Sequence, residues 1–237
     1  MDSGNIGFVL LCAAFVFVMT PGLAMFYGGL VRKKNVVNTM MTSIFIIGVG
    51  IVMWVLFGYS LSFAPSGNVF IGDFRWLGLE GVSLTEGYTD DASIPNMVFS
   101  AFQMMFAVIT PALITGAVAG RMKFKSIFVF TIFWSLIVYY PLAHMVWGQG
   151  GLLGADGIGA LDFAGGDVVH ISSGVSALVL CILLGKRHDY EHSIYRIHNI
   201  PTVVLGASLL MFGWFGFNAG SALAADGLAA HAFMTTG

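Results

Sequence analysis

Asp162, Asp167 and His170 fall within nine positions of one another in the stretch GALDFAGGDVVHISSG, residues 159–174. A carboxylate can stabilise a cation or accept backbone N–H groups at a helix start, and an imidazole can exchange a proton near neutral pH. The residues that follow, VSALVLCILLG, suit the centre of a bilayer. An ionisable side chain inside such a run costs free energy and is by default a functional hypothesis. Each residue has two readings. His170, about one turn into the run, either serves a pathway or bonds a neighbouring helix. Asp167, three residues earlier on the same face, and Asp162, in the turn before it, are either structural caps or charges that act on a guest.

Aromatic residues form the second set. Phe102 and Phe106 in AFQMMFAVIT are four apart and share a helix face, with Gln103 as a neutral polar neighbour. Trp147 ends AHMVW, and Phe217 and Ser221 lie in MFGWFGFNAGSA. Aromatic belts at the membrane interface explain many such residues. The sharper reading is a cage: ring faces attract a small cation, a hydroxyl adds an acceptor, and two Phe side chains below close an apolar pore.

Six apolar stretches must carry these residues: about 6–30, 37–62, 95–120, 126–147, 166–185 and 200–221. Each has about the length a helix needs to cross hydrocarbon. The chain of 237 residues is 57% hydrophobic and 9% charged, against about 25% charge in soluble domains. The expected fold class is an all-α polytopic membrane protein. Nine of ten Lys and Arg residues (Arg32, Lys33, Lys34, Arg121, Lys123, Lys125, Lys186, Arg187 and Arg196) follow the first, third and fifth spans. The positive-inside rule puts them in the cytoplasm and the N-terminus outside. The outer loop 63–94, with Asp73, Glu80, Glu86, Asp90 and Asp91, reads as a solvated acidic segment. His188, His192 and His198 read as solvated residues of the basic inner loop.

A net charge of −2 gives no argument for nucleic acid. Cys12 and Cys181 lie far apart in apolar runs and read as reduced packing residues. His144 and His170 differ in depth, which argues against a haem pair. No P-loop, dinucleotide fingerprint, zinc cluster or nucleophile elbow occurs, so neither an enzyme nor a cofactor is expected. The first run lacks a basic start and a cleavage site and reads as a retained span.

At TPGLAMFYGGLVRKKN, FQMMF, AHMVWGQGGLL, GALDFAGGDVVHISSG and GWFGFNAGSALAA the chain resembles the ammonium transporter (Amt/Mep/Rh) family, over essentially its whole length. The resemblance implies two five-span inverted repeats plus a final helix, assembled as a homotrimer with one pore per subunit in the cell membrane. It implies that Phe102, Trp147 and Ser221 recruit ammonium, that Phe106 and Phe217 gate the pore, that His170 is the first of two pore histidines, and that Asp162 is the supporting carboxylate. Trp147 favours the Amt/Mep branch over the Rh branch. Asp167 departs from the family, where a neutral residue is expected; a carboxylate there would favour a charged His170 if the two side chains met.

The sequence ends just after a seventh span begins near His231. We therefore expect an N-terminal portion of a longer protein, with most of the second repeat, the second pore histidine and the C-terminal tail beyond it. Half of such a pore is not expected to conduct. The implied activity is recruitment of ammonium, deprotonation below the cage and passage of ammonia along a His-lined apolar pore, with the proton relayed in part through His170. A PII-type regulatory protein on the cytoplasmic face is the implied partner. Rival readings are an Amt-like ammonium sensor coupled to a cytoplasmic signalling module, a generic small-solute channel such as one for carbon dioxide, and a purely structural membrane protein. Trp147 argues against the small-solute channel. A structural role would leave Phe102, Trp147, Ser221 and His170 together unexplained.

Overall fold

The computed structural model describes residues 1–155, 157–187, 190 and 194–237, so the reading of His188 and His192 lies outside the described residues. Six helices are long and apolar enough to cross a membrane: α1 Ser3–Leu30, α2 Lys33–Phe63, α3 Asn96–Val118, α4 Phe124–Trp147, α5 Gly166–Leu184 and α6 Ile200–Gly220. They match the six expected spans to within a few residues. A shorter helix, α7, runs over Gly227–Thr236. It starts four residues before His231 because Asp226 caps it, its side chain accepting the Ala229 N–H at 2.9 Å.

The same chemistry sets other helix starts. Asp2 accepts the Asn5 N–H at 2.8 Å at the head of α1. Asn199 accepts the Thr202 N–H at 3.0 Å at the head of α6, where Pro201 occupies the first turn.

In sequence α6 is the last full span, yet it lies along α1. Glycine lets the two backbones approach: a Cβ on Gly206 would stand 2.3 Å from the Phe26 nitrogen. Helix α3 lies at the centre, with 67% of its most apolar stretch buried, against 22% for α5 and α6. The outward faces of α5 and α6 carry Val175, Leu178, Ile182, Val204 and Met211, all more than half exposed.

The two ends of the bundle differ in charge. At one end the Asp2 N–H bonds the Ser93 carbonyl at 2.8 Å, and Asn5 accepts the Ala225 N–H at 2.9 Å. The N-terminus, the 64–95 loop and the turn after α6 thus share a side. At the other end Arg32, Lys34, Arg121, Lys186 and Arg187 line a cavity of about 390 Å³.

The acidic loop is only partly the solvated segment that its composition suggests. Glu80, Glu86, Asp90 and Asp91 are exposed, but the aromatic underside packs down: Trp76 stacks on Tyr59 at 5.4 Å, and Tyr88 on Phe99 at 4.7 Å with rings 4° apart. Asp73 pairs with Arg75 at 2.7 Å, and hydrogen bonding to that guanidinium holds its carboxyl below the usual range. Cys12 is buried and Cys181 half-buried, both as free thiols.

Candidate functional site

Asp162 builds the entrance to α5. Its Oδ1 accepts the N–H groups of Gly165 at 2.5 Å and Gly166 at 2.8 Å, and its Oδ2 accepts those of Asp167 at 2.8 Å and Val168 at 3.0 Å. Four donors that a helix start would otherwise leave unpaired converge on one carboxylate. The turn requires Gly165, whose φ is +89° and whose added Cβ would lie 2.7 Å from Val169 Cγ2.

Asp167 is not the cap that its position suggested. It contributes only its N–H to Asp162, because the backbone reverses through Gly165 and leaves Asp162 facing the exposed donors. Among the described residues Asp167 and His170 form no ion pair.

The first turns of α5, Gly166–Ile171, are wound wide, with the His170 N–H reaching the Gly165 carbonyl at 2.9 Å across five residues. Such wide turns are rare and cluster at functional sites. They present His170 to α6, where its ring stacks on Trp214 at 5.6 Å and on Phe217 at 5.9 Å. Neither ring nitrogen hydrogen-bonds to another described residue, so His170 meets α6 through ring stacking alone.

Trp147, at the end of α4, donates its indole N–H to the Asp162 carbonyl at 2.9 Å. With Phe102, Phe106, Asp162 and Ser221 it lines a cavity of about 860 Å³ at the acidic end. Phe106 meets Phe102 edge-on at 4.8 Å, Phe217 at 4.5 Å and Trp147 at 6.2 Å. Phe102, Phe106 and Phe217 are each 1% exposed. They are interior residues rather than an interfacial belt. Gly220 makes room for Phe102, whose ring carbon would stand 2.7 Å from a Cβ there. Ser221 donates its hydroxyl to the Phe217 carbonyl at 2.9 Å and keeps its oxygen lone pairs.

The site residues expected from the sequence, drawn from α3, α4, α5, α6 and the loops beside them, come together: Phe102, Phe106, Trp147, Asp162 and Ser221 line the cavity, Phe217 packs on Phe106, and His170 stacks on Phe217. Sequence reading missed Trp214, the second ring on His170. Its spacing of three from Phe217 on one helix was the available signal. It also missed Tyr88 and Gln149, joined at the cavity mouth by the Gln149 N–H to the Tyr88 hydroxyl at 3.0 Å.

His144 is fully buried, with Nδ1 3.1 Å from the Ser62 carbonyl and Nε2 2.8 Å from that of Asn68. Both ring nitrogens thus face backbone carbonyls of the loop that follows α2 and of its last turn.

The family model described as Ammonium Transporter Family matches residues 7–237, and the chain belongs to that family. It is 52% identical to an ammonium transporter of Bacillus subtilis over 100% of its own length and 57% of that protein. The crystal structure of Saccharomyces cerevisiae Mep2 superposes with a TM-score of 0.87 at 36% identity, covering 99% of this chain and 52% of that one. A structure titled Sensor Amt Protein gives a TM-score of 0.81 at 28% identity, covering 96% and 56%. The chain spans a little over half the length of these relatives.

Proposed function

We propose that the protein moves ammonium or ammonia across the cell membrane, with its N-terminus and acidic end outside. The observation that carries this reading is the gathering of Phe102, Trp147 and Ser221 around one cavity, with Phe106 of its lining packed on Phe217 and Phe217 on His170. A cation meets ring faces and a hydroxyl oxygen first. It then meets an aromatic barrier whose apolar rings offer no hydrogen bonds, where a charge pays a large desolvation cost and a neutral molecule much less.

Ammonium can give up a proton at that barrier, and potassium cannot. Asp162 favours the cation through its field while remaining the cap of α5. Ammonia passes Phe106 and Phe217 and meets His170, whose unbonded ring nitrogens can donate, accept or relay the proton. The cytoplasmic side is the basic end, by the positive-inside rule. A homotrimer, and docking of a PII-type regulator on the basic end, belong to the same reading.

The test is the current across proteoliposomes after an ammonium pulse, with potassium as the control. A saturable ammonium current with none for potassium supports the reading. Equal currents for both ions would overturn it. A second reading, ammonium sensing through a signalling module, takes its support from the likeness to the sensor Amt protein. Ammonium binding without flux would favour it.

A further inference from the structure

We propose that Gln103 is a substrate-contacting residue of the outer cavity, its amide oxygen accepting an N–H of the bound ammonium. The inference rests on the transport reading and adds a specificity residue to it. Gln103 lies between Phe102 and Phe106 on α3 and lines the same cavity as Trp147 and Ser221. It is 9% exposed, and its Oε1 is buried without a hydrogen-bond partner.

A buried amide oxygen with nothing to accept is costly and calls for an explanation. The site side chains beside Gln103 are largely committed. The Trp147 N–H is given to the Asp162 carbonyl, the Ser221 hydroxyl proton to the Phe217 carbonyl, and each Asp162 carboxylate oxygen holds two N–H groups. Ser221 and Gln103 keep uncommitted acceptor atoms among these side chains.

A guest that satisfies them is a hydrogen-bond donor or a bare cation, and ammonium is both, with four N–H groups and no acceptor. The terminal torsion of a Gln side chain is soft, so a turn of the amide brings Oε1 to the cavity surface at little cost. Two fixed acceptors and ring faces suit directional N–H bonds. Potassium, which is held by many oxygens replacing its hydration shell, gains less from them.

The experiment compares the wild-type full chain with Q103L and Q103E in proteoliposomes, and measures the ammonium-induced thermal shift of each in detergent. Loss of one hydrogen bond to a charged guest should raise the half-saturating ammonium concentration of Q103L about tenfold, with maximal current little changed. Q103E keeps the acceptor, adds charge and should lower that concentration. An unchanged half-saturation and thermal shift in folded Q103L, beside a responsive wild type, would overturn the role of Gln103 alone. A wild type that shows neither current nor shift would overturn the transport reading and this inference with it. Should Q103L aggregate, Q103M keeps the length, removes the acceptor and is judged by the same criterion.

Discussion

The indole of Trp147 and the backbone of Asp162 are joined by one hydrogen bond of 2.9 Å. One residue thus fixes two things: its carbonyl orients the ring at the cavity wall, and its carboxylate closes the start of α5. Trp147→Phe keeps an aromatic face and loses the bond. We expect the half-saturating ammonium concentration to rise roughly five- to tenfold, the worth of about one neutral hydrogen bond. Current recorded against concentration checks this, and an unshifted curve would mean that the ring needs no anchor.

Asp162→Ala strips the acceptor from four backbone donors. Single cap losses reach about 2 kcal/mol, and a loss of that size lowers the melting temperature of a chain this long by roughly 5 °C. Asp167→Asn is the control: its carboxylate accepts none of these bonds, so stability should move by less than about 0.5 kcal/mol. Thermal unfolding of both variants in detergent decides the matter. Equal losses would contradict the assignment of the cap to Asp162.

Phe217→Ala removes one half of the proposed gate, the Phe106–Phe217 pair, whose rings are 4.5 Å apart. The packing loss should be about 3–5 kcal/mol. The opened barrier should also pass potassium, which the proposed mechanism has the wild type exclude. A potassium pulse on reconstituted Phe217→Ala reads this directly, and continued exclusion would move the barrier elsewhere.

His144→Ala should act on the outer loop and not on the guest. Its ring bridges the Ser62 and Asn68 carbonyls, so removing it costs the N–H donated there, about 0.5–1.5 kcal/mol. We expect faster hydrogen exchange over residues 62–72 with ammonium half-saturation unchanged. A shift in half-saturation with normal exchange would place His144 in the transport path.

Much of this arrangement is legible in the sequence. The six spans stand out because hydrocarbon demands long apolar runs, and the charge asymmetry of the two ends follows from counting Lys and Arg. Phe102 and Phe106 share a face by helical spacing alone. The contact of α1 with α6 is not legible, since nothing local pairs residues 22–29 with 199–209; it depends on close approach at glycines such as Gly206. The choice of Asp162 over Asp167 as the cap turns on the left-handed Gly165, a dihedral angle that periodicity does not report. The stacking of Trp214 on His170 needs the wide turn of α5, which shifts the face that His170 presents. Gln103 reads as one more polar neighbour until burial shows its oxygen to be without a donor.

The four N–H groups on Asp162 also bear on poisoning by other ions. Calcium and magnesium are held through the oxygen lone pairs they collect. Here those lone pairs are already taken, two donors to each oxygen. A hard divalent ion beside Asp162 therefore senses a negative charge but finds no free lone pair on that carboxylate. Asp162 keeps an anion's attraction while forgoing an anion's grip.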